Sequence, residues 1–228
     1  MEAAVPQKPP VKLALCIPSA EYWKTDFGMS LTQMCVYMSA MLFEDGQDRQ
    51  VVVIDRRTSM LPRSRQEALE SSLIQGCTHA LFVDTDQTFP QDTAHRLMAW
   101  KKPVVACNIA LKMLPSFPTA RARGATAFGV PITSEHPKTG LEKVWRVGAG
   151  IMLIDLSILK NVAKPWFEIH YSAKNEQFVG EDWFFCGRLE AAGYDIYIDH
   201  DLSRQTGHIG QYIFGHQNIP NMATAQAA

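Results

Sequence analysis

The chain has 228 residues, of which 46% are hydrophobic and 20% charged, and its formal net charge is −1 at pH 7. This composition is typical of a globular protein, and the near-neutral charge excludes a nucleic acid partner recognised by bulk electrostatics. No apolar stretch approaches the ~18 residues of a membrane span. The first residues contain no apolar signal segment, so we expect a cytoplasmic protein.

Apolar runs alternate with segments of helical spacing along most of the chain. Buried strands are predicted over Val11–Ile17, Val51–Ile54, Ala80–Val83, Val104–Asn108, Ile151–Asp155 and Ile196–Ile198, with a short strand over Lys143–Val147. Helices are predicted over Ser30–Phe43, from Pro62 to Ile74, over Pro90–Trp100 and Leu156–Val162, and from Glu181 to Gly193. Because the strands are continuously apolar and their connections short, the pattern predicts an α/β fold with a mostly parallel, doubly wound sheet and helices on both faces.

We expect a single domain over residues 11–217, with a disordered lead-in over residues 1–10 and a disordered tail over residues 218–228. Within the domain, Leu111–Glu142 contains several prolines and little periodicity, which is typical of a binding loop or lid. The five cysteines are scattered and form no CxxC pair, so neither a zinc site nor a disulfide framework is predicted.

One predicted strand, Ala80–Val83, ends in Asp84-Thr85-Asp86. In an extended chain, residues i and i+2 point to the same side, roughly 6.5 Å apart. The ends of parallel strands are where open α/β sheets bind their ligands, and two carboxylates fixed there can hold a hard divalent cation. The alternative is that both aspartates are turn residues that cap the following helix.

Three later segments contain further candidate site residues. Glu181-Asp182 opens a predicted helix, where carboxylates are commonly caps that complement the helix dipole. Gly148-Ala149-Gly150 allows a backbone or a ligand to approach closely. His208 lies in a Gly-His-Ile-Gly segment near the end of the chain, and a lone histidine of this kind is more often structural than a ligand.

The order of these motifs resembles that of the GT-A glycosyltransferases, especially family 2-like members, including short ones found in phages and bacteria. The resemblance covers roughly Leu13 to Gly210. Its most specific part is GEDWFFCGRLEAAGYDIYID, which starts at Gly180 and is followed by the Gly-His-Ile-Gly segment. The strand that ends in Pro18-Ser19 and the Asp-x-Asp strand precede it in the order that this family shows.

The resemblance implies a metal-dependent enzyme that moves a sugar from a nucleoside-diphosphate sugar, a UDP- or GDP-sugar, to an acceptor hydroxyl. It implies Mn²⁺ or Mg²⁺ as the cofactor, with Asp84, Asp86 and His208 as metal ligands. It also implies that Asp182 is the base of an inverting reaction and that Glu181 beside it contacts the acceptor.

The resemblance further implies a nucleotide pocket that contains Pro18, Ser19, Asp55, Arg65, Asp84 and Thr85. Gly148, Gly150 and Trp183 are implied on the side of the sugar and acceptor. Asp55 is followed by two arginines instead of the acidic and glycine residues usual in the family, so the identity of the nucleotide stays open. The donor sugar and the acceptor are not indicated.

The chemistry of these residue types agrees with such a reaction. Departure of a nucleoside diphosphate builds negative charge on the phosphates, which a cation held by carboxylates would offset. A sugar hydroxyl is a poor nucleophile and needs a positioned base. We expect the helix dipole to keep Asp182 ionised for this task.

Two other interpretations remain open from the sequence. Asp84-Thr85-Asp86-Gln87-Thr88 also fits the Asp-x-Asp-x-Thr nucleophile motif of haloacid-dehalogenase-type phosphatases, in which the first aspartate attacks phosphorus. Asp199 and Asp201 could supply the later acidic pair that such a phosphatase needs. Alternatively, the chain is a non-catalytic module that binds a nucleotide sugar.

Overall fold

The computed structural model describes residues 10–41, 49–210 and 213–220. The principal strands are β1 (Val11–Ser19), β2 (Arg49–Arg57), β3 (His79–Val83), β4 (Gln87–Thr88), β5 (Val104–Ala106), β6 (Arg121–Ala122), β7 (Val130–Pro131), β8 (Leu141–Val144) and β9 (Ile151–Asp155). They are followed by β10 (His170–Ser172), β11 (Gln177–Val179), β12 (Ile196–Asp199), β13 (Gly207–Ile209) and β14 (Ile213–Phe214). The α-helices are α1 (Thr25–Met41), α2 (Leu61–Ile74), α3 (Thr93–Ala99), α4 (Glu181–Ala191) and α5 (His200–Ser203), and 3₁₀ turns span Leu156–Asn161 and His216–Asn218.

Seven strands form the central sheet, in the order β2-β1-β3-β9-β5-β12-β8. The strands β1, β2, β3, β5 and β12 run in one direction, whereas β9 and β8 run antiparallel to their neighbours. The prediction of a mostly parallel α/β sheet is therefore confirmed. The strand β9 inserts between β3 and β5 in the opposite direction, and this places the segment just before Ile151 beside the end of β3.

Helices cover both faces of the sheet, as predicted, because side chains of the buried strands alternate between the two faces. In β1, Ala14 and Cys16 pack in one cluster with apolar residues of α2 and α4. Leu13, Leu15 and Ile17 point to the other face and pack with α1 and α3. The site described below lies at the edge that both layers reach, where the parallel strands end.

Several element boundaries differ from those predicted. The helix α1 begins at Thr25 instead of Ser30, because the fully buried Phe27 extends its apolar face by one turn. The strand β1 continues through Ser19, since its pairing with β2 extends to that residue. The helix α3 is shorter than predicted, and no helix of the described residues is long and apolar enough to cross a membrane.

The first residues of the predicted tail, 218–220, belong to the described part of the chain. The carbonyl of Asn218 accepts a hydrogen bond from the Ser116 amide at 3.0 Å, and the side chain of Ile219 is buried against Ala110. These contacts hold the start of the predicted tail against the domain. Residues 1–9 of the predicted lead-in and residues 221–228 lie outside the described part of the chain.

The proline-containing segment Leu111–Glu142 is largely irregular, as predicted, but much of it is packed against the domain. Ala120 and Ile132 are buried. The Asn108 side-chain amide donates to the Ile132 carbonyl at 2.6 Å and to the Ser134 hydroxyl at 3.2 Å. The segment that approaches the candidate site is its beginning, which carries Lys112.

A small sheet joins the end of the chain to the end of β3. The strand β13 pairs antiparallel with β4 and β14, and His208 stands opposite Gln87 in this pairing. Because Gln87 follows Asp86 directly, the pairing places His208 next to the Asp-x-Asp motif, although His208 and Asp86 are 122 residues apart in the sequence.

Candidate active site

A cleft of about 280 Å³ opens where β1 and β3 end. Of the residues predicted to contact a nucleotide, four line this cleft: Pro18, Ser19, Asp84 and Thr85. Asp86 and the beginning of α2, including Ser64, complete its wall. The structure thus brings together the ends of two parallel strands and the Asp-x-Asp motif in one concave surface, as the sequence pattern predicts.

Asp55 and Arg65, which were also predicted to contact a nucleotide, are absent from the described lining of this cleft. Asp55 lies two residues before the end of β2 and accepts hydrogen bonds from the hydroxyl of Ser19 and from Arg57 Nε, the latter at 2.7 Å. Asp55 therefore fixes the position of Ser19, which lines the cleft, without lining the cleft itself.

Arg65 is the largest fully buried side chain, with 2% of its surface exposed. Its guanidinium donates to both carboxylate oxygens of Asp84, at 2.8 and 3.0 Å, and to Glu181 Oε1 at 3.3 Å. A third donor, Nη1, donates a hydrogen bond to the carbonyl oxygen of Ala149 at 3.1 Å. Burial acts to lower the pKa of Arg65, but the neighbouring carboxylates, Asp84 first among them, raise it above its ordinary value and keep the side chain charged.

Asp84 itself is partly enclosed. Burial raises the pKa of its carboxyl above the ordinary value, and the Arg65 guanidinium offsets part of that shift. Gly150 contributes to the enclosure, because a Cβ atom at this position would lie 3.4 Å from Asp84 Oδ2 and 3.4 Å from Gln87 Nε2. A Cβ atom at this position would therefore be in van der Waals contact with the carboxylate and would occupy the space beside it.

Asp86 contacts two cationic or potentially cationic groups, Lys112 and His208. The distance from Asp86 Oδ2 to His208 Nε2 is 3.5 Å. Burial alone would raise the pKa of Asp86, but hydrogen bonds from His208 and Lys112 outweigh it and lower that pKa well below the ordinary value. Asp86 therefore carries a negative charge throughout the physiological pH range.

The donor groups at this point fit a divalent cation in their chemistry. His208 Nδ1 lies 2.9 Å from the carbonyl oxygen of Ala110, which can only accept, so Nδ1 carries a proton. In the neutral ring Nε2 then has a free lone pair that faces the Asp86 carboxylate, and a cation between them would satisfy both. Carboxylate and imidazole ligands suit Mn²⁺.

A preformed three-ligand cage is not seen. Across residues 10–41, 49–210 and 213–220, no three His, Cys, Asp or Glu side chains are placed to hold a metal ion together. Both oxygens of Asp84 accept from Arg65, although a carboxylate oxygen has a second lone pair that can still face a cation. Asp86 and His208 are thus the better-placed pair of the three predicted ligands.

The second carboxylate motif opens α4 and meets the first through Arg65. Glu181 is buried and its carboxylate faces the guanidinium, whereas Asp182 is partly exposed. Asp182 Oδ1 accepts a hydrogen bond from the Trp183 amide at 2.7 Å. Gly148 leaves room for this carboxylate, since a Cβ atom there would lie 3.5 Å from Asp182 Oδ2.

The pKa of Asp182 is shifted in the direction opposite to that expected from the helix dipole. Burial, and secondly the charge of Glu181, raise the pKa of Asp182 to about 6. The removal of water and the adjacent like charge outweigh the favourable helix terminus. A carboxylate with this pKa is ionised at neutral pH and accepts a proton more readily than an ordinary aspartate.

Trp183 turns away from the cleft. Its ring lies 6.2 Å from that of Trp145, and both line a second pocket beside α4. Asp199 and Asp201, the pair that a phosphatase would need, lie at the end of β12, and β9 and β5 separate β12 from β3. At about 4.8 Å per strand, this separation is roughly 14 Å.

Sequence reasoning did not identify Lys112 and assigned Arg65 only loosely. Lys112 belongs to an irregular segment, where no periodicity indicates which way a side chain points. Arg65 does carry a signal, because it shares a helix face with the buried Ala68, Leu69 and Ser72, at spacings of three, four and seven residues.

No protein-family model matches the chain, and no characterised protein matches it by sequence. Among solved structures, the chain is similar to A197 from STIV, with 16% identity, a TM-score of 0.55 and 91% of each chain covered. It overlaps less well with a mutant of the Drosophila β1,4-galactosyltransferase 7 in complex with manganese, UDP-Gal and xylobiose (14% identity, TM-score 0.45, 88% of this chain and 71% of that one). A similar overlap is found with S. aureus TarS in complex with UDP-GlcNAc (14% identity, TM-score 0.44, 85% and 56%). At these identities the similarity to A197 shows a shared fold.

Proposed function

We propose that the chain is a metal-dependent glycosyltransferase of the GT-A type, similar to family 2 members, that moves a sugar from a nucleoside-diphosphate sugar to an acceptor hydroxyl with inversion. One observation carries this proposal. The buried Arg65 joins the carboxylate of the Asp-x-Asp motif to the carboxylate that opens α4. Two motifs with complementary chemical roles therefore share one centre.

We call the cleft at the ends of β1 and β3 the donor side, and the Glu181–Trp183 turn with the pocket beside it the acceptor side. On the donor side, Pro18, Ser19 and Thr85 would contact the nucleoside of a UDP- or GDP-sugar. Asp55 would act indirectly, because its carboxylate accepts a hydrogen bond from the Ser19 hydroxyl and so fixes the position of Ser19. Gly148 and Gly150 would leave space for the sugar between the two sides, because side chains at these positions would approach the catalytic carboxylates.

Mn²⁺ or Mg²⁺ would be held by Asp86 and His208, with Asp84 as the third ligand. When bound there, the ion would offset the charge that develops on the leaving diphosphate. Lys112 already neutralises Asp86 in part, so its ammonium group would move to the diphosphate oxygens when a cation takes its place.

Asp182 would act as the base. Its carboxylate would take the proton of the acceptor hydroxyl while the acceptor oxygen forms a bond to the sugar carbon and the bond from that carbon to the phosphate oxygen breaks. Glu181 is implied to contact the acceptor. Its carboxylate is held by a hydrogen bond from Arg65, and its negative charge would raise the pKa of Asp182.

The geometry favours the transferase over the phosphatase. In a phosphatase Asp84 would be the nucleophile, but hydrogen bonds from the Arg65 guanidinium to both of its oxygens lower their nucleophilicity. The acidic pair Asp199 and Asp201 is also engaged elsewhere: Asp199 accepts from the Trp100 indole at 2.9 Å, and Asp201 accepts from the Gly140 amide at 2.7 Å.

The deciding experiment is thermal unfolding of the full chain with UDP, GDP and their sugar derivatives, each with and without Mn²⁺. UDP-Gal and UDP-GlcNAc are the first donors to test. We expect a rise in Tm with one nucleotide only when the metal is present, followed by slow metal-dependent hydrolysis of the matching donor. Release of phosphate from p-nitrophenyl phosphate with Mg²⁺, without a nucleotide effect, would support the phosphatase. Metal-dependent binding without any donor turnover or transfer would support the binding module.

A further inference from the structure

A pocket of about 450 Å³ lies beside α4, on the side of the helix opposite its core-facing residues. Its walls are the first turns of α4, the segment that follows β8, and the hairpin formed by β10 and β11. Trp183 lines it directly after Asp182 in the chain. The pocket is thus connected to the proposed base through Trp183, the next residue in the chain.

Three basic side chains line this pocket: Arg146, His170 and Arg188. None of the described residues that line it is an aspartate or a glutamate. Arg146 is partly neutralised by Glu190, at 3.0 Å. The remaining charge gives the pocket a positive character that contrasts with the net charge of −1 for the whole chain.

Two of these groups lack a protein partner within the described residues. Arg188 Nε and His170 Nδ1 are buried and make no hydrogen bond there. They flank one aromatic ring, since the Arg188 guanidinium lies 4.7 Å and the His170 ring 5.5 Å from the centre of Phe184. These two atoms are closed to solvent, so a ligand would reach Arg188 through its outer guanidinium nitrogens, which make no hydrogen bond or ion pair within the described residues and can donate to oxygen acceptors.

The opposite wall suits a sugar ring. The indoles of Trp145 and Trp183 line the pocket and are inclined at 56° to each other, with the Arg146 guanidinium 4.3 Å from the centre of the Trp145 ring. The hairpin adds hydrogen-bonding side chains, Ser172, Asn175 and Gln177. Apolar faces beside a few convergent polar groups are the usual construction of a small-molecule site.

We propose that this pocket holds the acceptor, and that the acceptor is a saccharide that bears an anionic oxygen group, a carboxylate or a phosphate, which Arg188 and His170 contact. This inference rests on the proposed function, because it takes Asp182 as the base beside the pocket. Arg188 can bind such a group through two parallel hydrogen bonds, whereas a neutral sugar would leave its charge unpaired.

Binding to the full chain is measured by tryptophan fluorescence, without donor or metal, using trigalacturonate and the uncharged galactotriose as probes. We expect trigalacturonate to bind at least about 10-fold more tightly. Its affinity should fall as NaCl is raised, while that of galactotriose stays constant. This salt dependence needs no variant and so does not depend on any substitution being tolerated.

Variants then locate the charge. Arg188→Gln should weaken trigalacturonate binding about 10-fold, and Arg188→Lys should weaken it less, because it keeps the charge and loses the two-pronged geometry. Lys160→Gln, which removes one positive charge from an exposed position outside the pocket, should change nothing. Equal effects of Arg188→Gln and Lys160→Gln would overturn the proposal.

The proposal is also overturned if galactotriose binds as tightly as trigalacturonate, if neither binds, or if a single-stranded oligonucleotide binds more tightly than both. Its failure is separate from that of the proposed function. Metal-dependent UDP or GDP binding without trigalacturonate binding removes only the acceptor proposal. Trigalacturonate binding without any nucleotide effect removes only the transferase.

Discussion

The two sides of the candidate site differ in how their carboxylates are partnered. On the donor side each carboxylate contacts a cationic side chain: Asp55 with Arg57, Asp84 with Arg65, and Asp86 with Lys112. On the acceptor side, Glu181 also pairs with Arg65, but its neighbour Asp182 accepts a hydrogen bond from a backbone amide instead, and its pKa is raised to about 6. A carboxylate that is held in place by a cationic partner suits binding. A carboxylate surrounded by protein and by a like charge takes up a proton readily, which suits a base.

The largest effect on sugar transfer is expected when the carboxylate of Asp182 is replaced. Asp182→Asn keeps the shape of the side chain but cannot accept the proton, so sugar transfer should fall about 10²- to 10⁴-fold. Metal-dependent donor binding should be unchanged, because the donor side is untouched. Turnover numbers and calorimetric titration with the nucleotide measure the two. Normal turnover of the Asn variant would leave Asp182 as a helix-terminus residue without a chemical role.

Breaking the link between the two sides should cost stability. Arg65→Met leaves the carboxylates of Asp84 and Glu181 enclosed without their counter-charge, and loss of one partner of a buried pair typically costs about 3–5 kcal/mol. Urea unfolding measures the change. The matched control is Arg63→Met on the same helix, where the exposed Arg63 pairs only with the exposed Glu67, and there we expect little or no change. Equal losses of unfolding free energy in both variants would contradict the stabilising role of the ion pairs that Arg65 forms with Asp84 and Glu181.

A smaller effect is expected from the histidine. His208→Ala should weaken Mn²⁺ binding in the presence of the nucleotide at least about 10-fold, because it removes one of the three proposed ligands and leaves Asp86 and Asp84. Titration of Mn²⁺ against the protein–nucleotide complex measures this affinity. His136→Ala, at an exposed position, serves as the control. An unchanged Mn²⁺ affinity would make His208 a purely structural residue of the small sheet.

The mildest test uses pH. The folded-state pKa of Asp182 is above the ordinary value, so the ionised base is lost as pH falls through about 6. At saturating metal and donor, transfer should decrease about tenfold per pH unit below that point. The same shift has the opposite sign for stability, because a raised pKa means that ionised Asp182 destabilises the fold. Asp182→Asn should therefore be at least as stable as the wild-type chain at neutral pH, and a lower Tm would contradict this.

Much of the fold could be predicted because it depends on local patterns. Runs such as Leu13–Ile17 and Ala80–Val83 are apolar without interruption, which is the pattern of strands covered on both faces. The position of Asp84 and Asp86 at a strand end followed directly from these runs. The antiparallel direction of β9 did not, because the run Ile151–Asp155 would look the same in either direction.

The contacts that complete the candidate site depend on long-range pairing. His208 reaches Asp86 only because β13 pairs with the two-residue strand β4, and so short a strand leaves no periodicity to read. Lys112 reaches Asp86 from an irregular segment. Arg65 is a charged residue on a helix, which is usually exposed, and its burial depends on carboxylates and a carbonyl supplied by three other parts of the chain.

One of those partners, the carbonyl of Ala149, belongs to the main chain. Asp84 and Glu181 can each be lost through a single substitution, but no substitution deletes a peptide oxygen. Arg65 therefore keeps an anchor in any variant that preserves the course of the backbone between Gly148 and Gly150. Substitution of either carboxylate should therefore leave the Arg65 guanidinium attached to the backbone that leads into β9.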